Sequence, residues 1–239
     1  MSKTRAIAYG TDYFSRNISE LSRQVLEDNQ PAENKGDDTR QWLTARLKLL
    51  ICRFSSGESI DSLRAAFAAT ISYITEEESR EPLAFFDLDQ FDDYYLAVSA
   101  AAWCTLTQLP AKHRTKLVTM YQRRYPEPAD RDPLLDRLLI GNTTNSASRL
   151  RHKNYFPLLD AWNREDKQKA EYILAAYLCQ LDRRLGKLSW QQDPWSDKAV
   201  GIGLWCFVTA VIVSQRGLDP GAVSGLPTFP ADWLTQASA

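Results

Sequence analysis

The stretch LTARLKLLICRFSSGE, residues 43–58, repeats its apolar side chains at intervals of three and four and then stops at a glycine. This spacing places the apolar side chains on one face of an α-helix. Asp38-Thr39 offers an N-cap and Gly57 a C-terminal stop, so we predict a helix that ends near Ser55. Ser59 then caps a second helix, and the short turn between the two helices predicts a helical hairpin.

Helical signals continue through the rest of the chain, and no strand-like alternation of apolar and polar residues reaches a useful length. Periodicity and cap residues predict further helices over about 87–110, 111–125, 132–141, 173–185 and 196–215. We therefore predict an all-α fold, a compact bundle of about eight to ten mostly antiparallel helices.

The last predicted helix is the most apolar. Its uncharged run from Ala199 to Gln215 is shorter than the roughly 20 apolar residues that a membrane helix needs, so we predict a central core helix. Gly201 and Gly203 lie inside it and are predicted to let helices approach closely. The tail after this helix is predicted to pack through Phe229 and Trp233.

Acidic and basic residues separate along the chain. Residues 1–110 carry 17 acidic and 11 basic residues, a net charge of -6, and residues 111–239 carry 13 and 18, a net charge of +5. This distribution disfavours a wholly basic nucleic-acid-binding protein. An acidic stretch interrupted by Pro82 predicts a boundary, with an N-terminal helical part over 1–80 and a C-terminal part over 81–239.

No group of residues predicts catalysis. His113 and His152 lie among basic residues with no sign of an orienting acid, so we predict solvated histidines. Metalloprotease, nucleophile-elbow and phosphate-loop motifs are absent from the sequence. The four cysteines are far apart in apolar contexts and predict buried free thiols. We expect no enzyme, catalytic residue, metal or cofactor; a carboxylate site at Asp92-Asp93 or at Asp87 and Asp89 is the alternative.

The acidic stretch is the main candidate for a functional surface. The second half of the acidic stretch is explained by helix formation: Asp87 is predicted to cap a helix, and negative charge is favourable near a helix N-terminus. Its first half follows the C-terminus of a predicted helix, where negative charge is unfavourable. A docking surface for a basic protein explains both halves, because a nuclease must present Lys and Arg to phosphate. The predicted partner-binding residues are Glu76, Glu77, Glu78, Asp87, Asp89, Asp92 and Asp93.

Two basic stretches, Lys112 to Arg124 and Arg149 to Lys153, invite a nucleic-acid interpretation, but they contain few aromatic residues. We predict solvated faces, with docking of an acidic partner or of the chain's own acidic half as the alternative. Trp190 and Trp195 flank a predicted loop, where they are either interface anchors or part of the core.

Two segments of the sequence together resemble the halves of a known family. They are residues 43–58, quoted above, and GIGLWCFVTAV at 201–211, which is followed by RGLD at 216–219. With LLDRLLIG at 134–141, they are similar to the PoNi family of bacterial immunity proteins, which neutralise nuclease toxins. The resemblance covers most of the chain from about residue 40.

The resemblance implies an all-helical immunity protein whose partner is a cognate toxin nuclease of the DNase type, delivered by type VI secretion. It implies neutralisation through protein binding, without catalysis, direct nucleic-acid contact or a membrane. The polar N-terminal residues and the free cysteines favour the cytoplasm. The sequence does not decide whether the protein forms a homodimer. A non-catalytic helical adaptor or scaffold is the alternative function.

Overall fold

The computed structural model describes residues 11–27, 35–141, 149–192 and 202–235, and the regular elements in these ranges are all helical. Counting α6 with the π-helical turn that continues it, nine of the described helices span seven residues or more. The predicted all-α fold of about eight to ten helices is therefore confirmed. The α-helices are α1 (Thr11–Glu27), α2 (Lys35–Ser55), α3 (Ile60–Tyr73), α4 (Phe91–Leu106), α5 (Ala111–Arg124), α6 (Pro133–Leu135), α7 (Phe156–Asn163), α8 (Lys167–Leu178), α9 (Leu181–Leu185), α10 (Ser189–Gln192), α11 (Phe207–Arg216) and α12 (Asp232–Thr235).

The predicted hairpin is formed by α2 and α3. Helix α2 ends at Ser55, and Gly57 adopts a φ of +93°, a left-handed conformation that glycine tolerates best. The Ser59 side chain accepts a hydrogen bond from the backbone N–H of Ser62, which satisfies a donor at the start of α3. Both predicted boundaries of this turn are confirmed.

Helix α4 begins later than predicted. Its N-cap is Gln90, whose side chain makes no capping bond, and the predicted cap Asp87 lies three residues earlier. The Asp87 carboxylate instead accepts a hydrogen bond from the backbone N–H of Asp89 at 3.1 Å. Asp87 therefore stabilises the turn that leads into α4, because its short side chain reaches the backbone two residues on.

The two segments that carry the family resemblance meet at the C-terminus of α2. The Ser55 hydroxyl accepts a hydrogen bond from Trp205 Nε1 at 2.8 Å and lies 2.7 Å from the carbonyl oxygen of Ile202. The Phe54 ring packs edge-on against Trp205 and Phe207, with centroids 4.8 and 5.3 Å away. This junction brings together residues that lie about 150 positions apart in the sequence.

The last long helix, predicted from 196, begins at Phe207. Residues 193–201 lie outside the described part of the chain, and residues 202–206 are not helical. Gly203, with a φ of +85°, breaks the helical pattern, and a Cβ there would overlap the Ser55 hydroxyl. Close approach at Gly203 is confirmed, but in an irregular segment rather than in a helix.

A single apolar core joins these elements. Residues 207–213 of α11 are all buried, as predicted for a central helix. The tail packs on it through Phe229 and Trp233, which are also buried, and the Trp233 ring lies 5.2 Å from that of Trp103. Among the described helices, none has both the length and the apolar character of a membrane span.

Candidate functional site

The acidic segment, residues 76–93, runs from the end of α3 to the start of α4. It forms two short 3₁₀ turns, Glu78–Arg80 and Pro82–Ala84, that pack along the N-terminal half of α2. Its side chains separate into two groups with different surroundings. One group is the glutamates and the other is the aspartates.

Glu78 has a structural role. Its carboxylate accepts a hydrogen bond from the backbone N–H of Thr75 at 2.6 Å, while the Thr75 hydroxyl accepts one from the backbone N–H of Glu78 at 3.1 Å. This reciprocal pair is a capping box. The Thr39 hydroxyl of α2 adds a longer hydrogen bond to Glu78, at 3.4 Å. Glu78 thus helps to begin a new helical turn. This role explains why an acidic residue follows the C-terminus of α3, where negative charge is otherwise unfavourable.

The other glutamates of the segment face solvent. Glu76, Glu77 and Glu81 are exposed. Glu76 pairs with Arg80 at 3.4 Å, but both side chains are mostly exposed, so this ion pair contributes little to stability. The Glu76 and Glu81 carboxylates can therefore meet a partner without first losing an essential contact within the described structure.

The aspartates of the segment mostly bind groups of this chain. Asp93 accepts a hydrogen bond from the backbone N–H of Asp87 at 3.0 Å and pairs with Arg40 of α2 at 3.4 Å. Burial raises the pKa of the Asp93 carboxyl, although the bond to Asp87 and the Arg40 charge oppose that rise. Asp92 accepts a hydrogen bond from the backbone N–H of Ser189, at the start of α10.

An open groove of about 460 Å³ lies beside Asp92 and Asp93, between α1, α2 and α4. Its lining also includes Arg40 and Lys48, so two carboxylates face two cations. Burial lowers the pKa of Lys48, and the charges of Asp92 and Asp93 oppose that shift. Among the described residues that line the groove there is no histidine or cysteine, and the two carboxylates are balanced by the two cations.

Asp89 connects the acidic segment to one of the predicted basic stretches. Its carboxylate pairs with Arg151 at 3.0 Å and is largely exposed, whereas the Arg151 side chain is three-quarters buried. The prediction that this basic stretch is wholly solvated is wrong at Arg151, which also lies over the Tyr125 ring. Arg149 and Lys153 on either side are exposed.

Both histidines are structural rather than solvated. His113 is buried, and its Nε2 lies 2.8 Å from the Ser72 hydroxyl, which ties α5 to α3. Burial lowers the pKa of His113, and the neighbouring Lys112 and Lys116 charges add to that effect. His152 Nε2 lies 2.8 Å from the carbonyl oxygen of Leu88, and its ring packs against Tyr94. The prediction of solvated histidines is therefore wrong.

Three of the four cysteines are buried. Burial raises the pKa of the Cys52, Cys104 and Cys206 thiols to about 12, which disfavours the nucleophilic thiolate. Cys179 is exposed, so the prediction of four buried thiols fails at that residue. Within the described ranges no cluster of His, Cys, Asp and Glu could hold a metal ion.

The sequence analysis missed a group of exposed large apolar side chains. Tyr73 and Leu83 flank the glutamates, with 66% and 50% of their surfaces exposed, and Phe156 and Tyr172 are exposed on α7 and α8. Tyr73 ends a helix in which Phe67 and Ile71 are buried, and the helical register alone could have placed it on the outer side. Trp190 is buried, and Trp195 lies outside the described residues.

Comparison with known families supports the predicted resemblance. Residues 130–233, which contain α6 to α11, match the family described as PoNe immunity proteins (PoNi), C-terminal. The resemblance to the PoNi family is thereby confirmed over this part of the chain. The correspondence of the residues before 130 stays a prediction.

A solved structure shows a similar fold. It is the crystal structure of protein PA2201 from Pseudomonas aeruginosa, with 16% sequence identity and a TM-score of 0.65, covering 95% of this chain and 86% of that chain. Identity this low shows the fold alone. No curated protein matches the chain.

Proposed function

We propose, from the premise that residues 130–233 carry the C-terminal part of the PoNe immunity family, that this chain binds a toxin nuclease and neutralises it without catalysis. The family match is the observation that carries the proposal. The burial of His113 and of three of the four thiols in the described part of the chain supports a role without catalysis.

The proposed mechanism is occlusion of the substrate-binding surface of a DNase-type toxin. A nuclease must hold the phosphates of DNA with basic side chains, so a surface of carboxylates can take the place of DNA. The seven acids predicted from the sequence have two roles in this proposal. Glu76, Glu77 and Asp89 contact the toxin directly, whereas Glu78, Asp87, Asp92 and Asp93 shape the backbone that presents them.

This division follows from the hydrogen bonds that each carboxylate already makes. Glu78, Asp92 and Asp93 accept bonds from backbone N–H groups of this chain, so a partner would have to displace those bonds. Glu76 makes only an exposed ion pair, which a toxin guanidinium or ammonium can replace with little loss. The Asp89 carboxylate is also largely exposed, although its partner Arg151 is not. We also propose that the toxin is a type VI effector and that this chain neutralises it in the cytoplasm.

Co-expression tests the proposed function. The chain, carrying a tag, is expressed in bacteria with the nuclease-domain product of the gene beside its own. We expect growth to be rescued and both proteins to co-purify as one complex. Rescue without a complex would indicate an indirect mechanism. Failure of both, with a toxin that kills cells on its own, would leave the helical adaptor as the better interpretation.

A further inference from the structure

We infer that the toxin docks on one aromatic and acidic surface of the N-terminal helices, and this inference rests on the proposed function. The surface has a centre formed by Trp42, Arg46 and Tyr73. Leu83 lies farther along α2, by Gly36, and Glu76, Glu77 and Glu81 form the acidic rim. We call it the α2–α3 ridge. It lies outside residues 130–233, so recognition of the toxin would come from a different part of the chain than the family match.

The centre of the ridge is ordered by ring and guanidinium contacts. The Trp42 and Tyr73 rings meet edge-on with centroids 6.2 Å apart. The Arg46 guanidinium lies over both rings, 4.9 Å from the Trp42 centroid and 5.8 Å from that of Tyr73. Such contacts hold the Arg46 guanidinium in place. They therefore reduce the conformational entropy that the Arg46 side chain would lose when a partner binds it.

Arg46 remains available to a partner. Its guanidinium makes no ion pair with an acid of the described structure, and its Nε is buried without a hydrogen-bond acceptor. Burial lowers the pKa of Arg46, in keeping with a cation that the fold partly desolvates but does not pair. A carbonyl or carboxylate of the partner would supply the missing acceptor.

The ridge is continuous because it follows one face of α2. Positions 36, 39, 42 and 46 recur at helical spacing and together span about 15 Å of the helix. At Gly36 the backbone lies against Leu83 and Glu81, at Thr39 the hydroxyl contacts Glu78, and at Trp42 the ring contacts Tyr73. The acidic turns therefore lie directly beside the aromatic centre.

The composition of the ridge is that of a protein interface. Tyr73 is 66% exposed and Leu83 is 50% exposed, which leaves two large apolar side chains in water beside a partly buried tryptophan. Trp, Tyr and Arg are the residue types that most often dominate binding energy at interfaces, and charged residues favour the rim. Single exposed apolar residues are ordinary. Here exposed Tyr73 lies against Arg46 at one end of the helix face, and exposed Leu83 lies by Gly36 at its other end.

Charge identifies the occupant as a basic protein. Residues 76–81 contain four glutamates and one arginine, a net charge of -3. A second copy of this chain in a symmetric dimer would bring the same acidic rim against itself, which is unfavourable. A nuclease surface built to hold phosphate has the complementary charge, and its basic side chains would surround an apolar contact with Tyr73 and Leu83.

The test uses two matched pairs of variants of the full chain. Tyr73→Ser and Leu83→Ser alter the ridge, whereas Tyr172→Ser and Phe156→Ser alter equally exposed side chains of α8 and α7. The dissociation constant is measured with the nuclease-domain product of the neighbouring gene. We expect it to rise at least tenfold for Tyr73→Ser and Leu83→Ser, and to stay within about twofold for the control pair. Melting temperatures of all four variants report on their folding.

Three results would overturn the inference. The first is an unchanged dissociation constant for both ridge variants. The second is a loss confined to Tyr172→Ser or Phe156→Ser, which would place the toxin on α7 and α8. The third is a wild-type homodimer that Tyr73→Ser dissociates in sedimentation experiments. A wild-type chain that does not bind the toxin at all would instead contradict the proposed function.

Discussion

Ser55 joins the C-terminus of α2 to the irregular segment that precedes α11. Its hydroxyl accepts a hydrogen bond from Trp205 Nε1, and Gly203 leaves the space in which that hydroxyl sits. A buried indole N–H without an acceptor costs about 1–3 kcal/mol, so the hydroxyl stabilises the junction by its position as well as by its bond. The contact fixes where the irregular segment before α11 crosses the end of α2.

Gly203→Ala should therefore destabilise the protein by about 3 kcal/mol or more. An alanine at a φ of +85° is strained, and its Cβ would overlap Ser55 Oγ. Urea denaturation followed by tryptophan fluorescence measures the free energy of unfolding. Gly225→Ala is the matched control, because nothing lies within 4 Å of its added Cβ and we expect a change within about 0.5 kcal/mol. Equal stability of both variants would contradict this view of the junction.

At the scale of elements, the turn after α5 depends on buried carboxylates. Asp132 caps α6, accepting hydrogen bonds from the backbone N–H groups of Leu134 and Leu135, and it also accepts one from Arg151 N–H. Burial raises the pKa of Asp132 against the effect of these bonds. Helix α6 then continues as a π-helical turn that ends at Gly141, with a bond from Gly141 N–H to the carbonyl oxygen of Asp136.

Tyr121→Phe tests how this turn is held. The Tyr121 hydroxyl accepts a hydrogen bond from Asp132 N–H at 2.9 Å and donates one to the Asp136 carboxylate at 3.0 Å. Its removal leaves a buried donor and a buried carboxylate unpaired, so we expect a loss of roughly 2–3 kcal/mol in the free energy of unfolding. Tyr172→Phe, on an exposed tyrosine, should change stability by less than about 0.5 kcal/mol. A loss of similar size in both variants would argue against this role.

Elements with strong local signals could be predicted from the sequence. The end of α2, the Ser59 cap, α5 and the short helix between Asp132 and Gly141 are confirmed, because each depends on residues within a few positions. The start of α11 could not be predicted, because residues 202–206 pack as an irregular segment against Ser55, which is far away in sequence.

The candidate surface was predictable only in part. Charge located the acidic segment, but the sequence does not show which carboxylates a distant backbone N–H will bind. Asp92 is bound by Ser189, 97 residues away, and Asp93 pairs with Arg40 of a different helix. The ridge aromatics were missed for the same reason, since Trp42 and Tyr73 meet only after α2 and α3 have packed.

For the molecule as a whole, the exposed glutamates of residues 76–81 favour attraction of a basic partner. Reversal of Asp92 or Asp93 would damage contacts within the fold, so exposed acids make the cleaner test. Glu76→Lys, Glu77→Lys and Asp89→Lys in one triple variant should slow association with the toxin about ten- to a hundredfold at low salt. Stopped-flow mixing at low and high salt measures the rate.

The matched control for this triple variant changes net charge equally at other exposed acids. These are Glu127, Glu165 and Asp182, each replaced by lysine. A long-range effect of net charge alone would slow association equally in both triples, and that outcome would contradict a localised acidic surface. Melting temperatures within a few degrees of the wild type would show that neither triple unfolds the chain.

The central claim is that the chain occupies the surface on which the toxin holds DNA. The most direct measurement is competition between the purified chain and a fluorescently labelled DNA duplex for the toxin nuclease, followed by anisotropy without divalent metal. We expect an equimolar amount of chain to release the duplex from the toxin. A ternary complex, in which the toxin holds the chain and the duplex together, would contradict it.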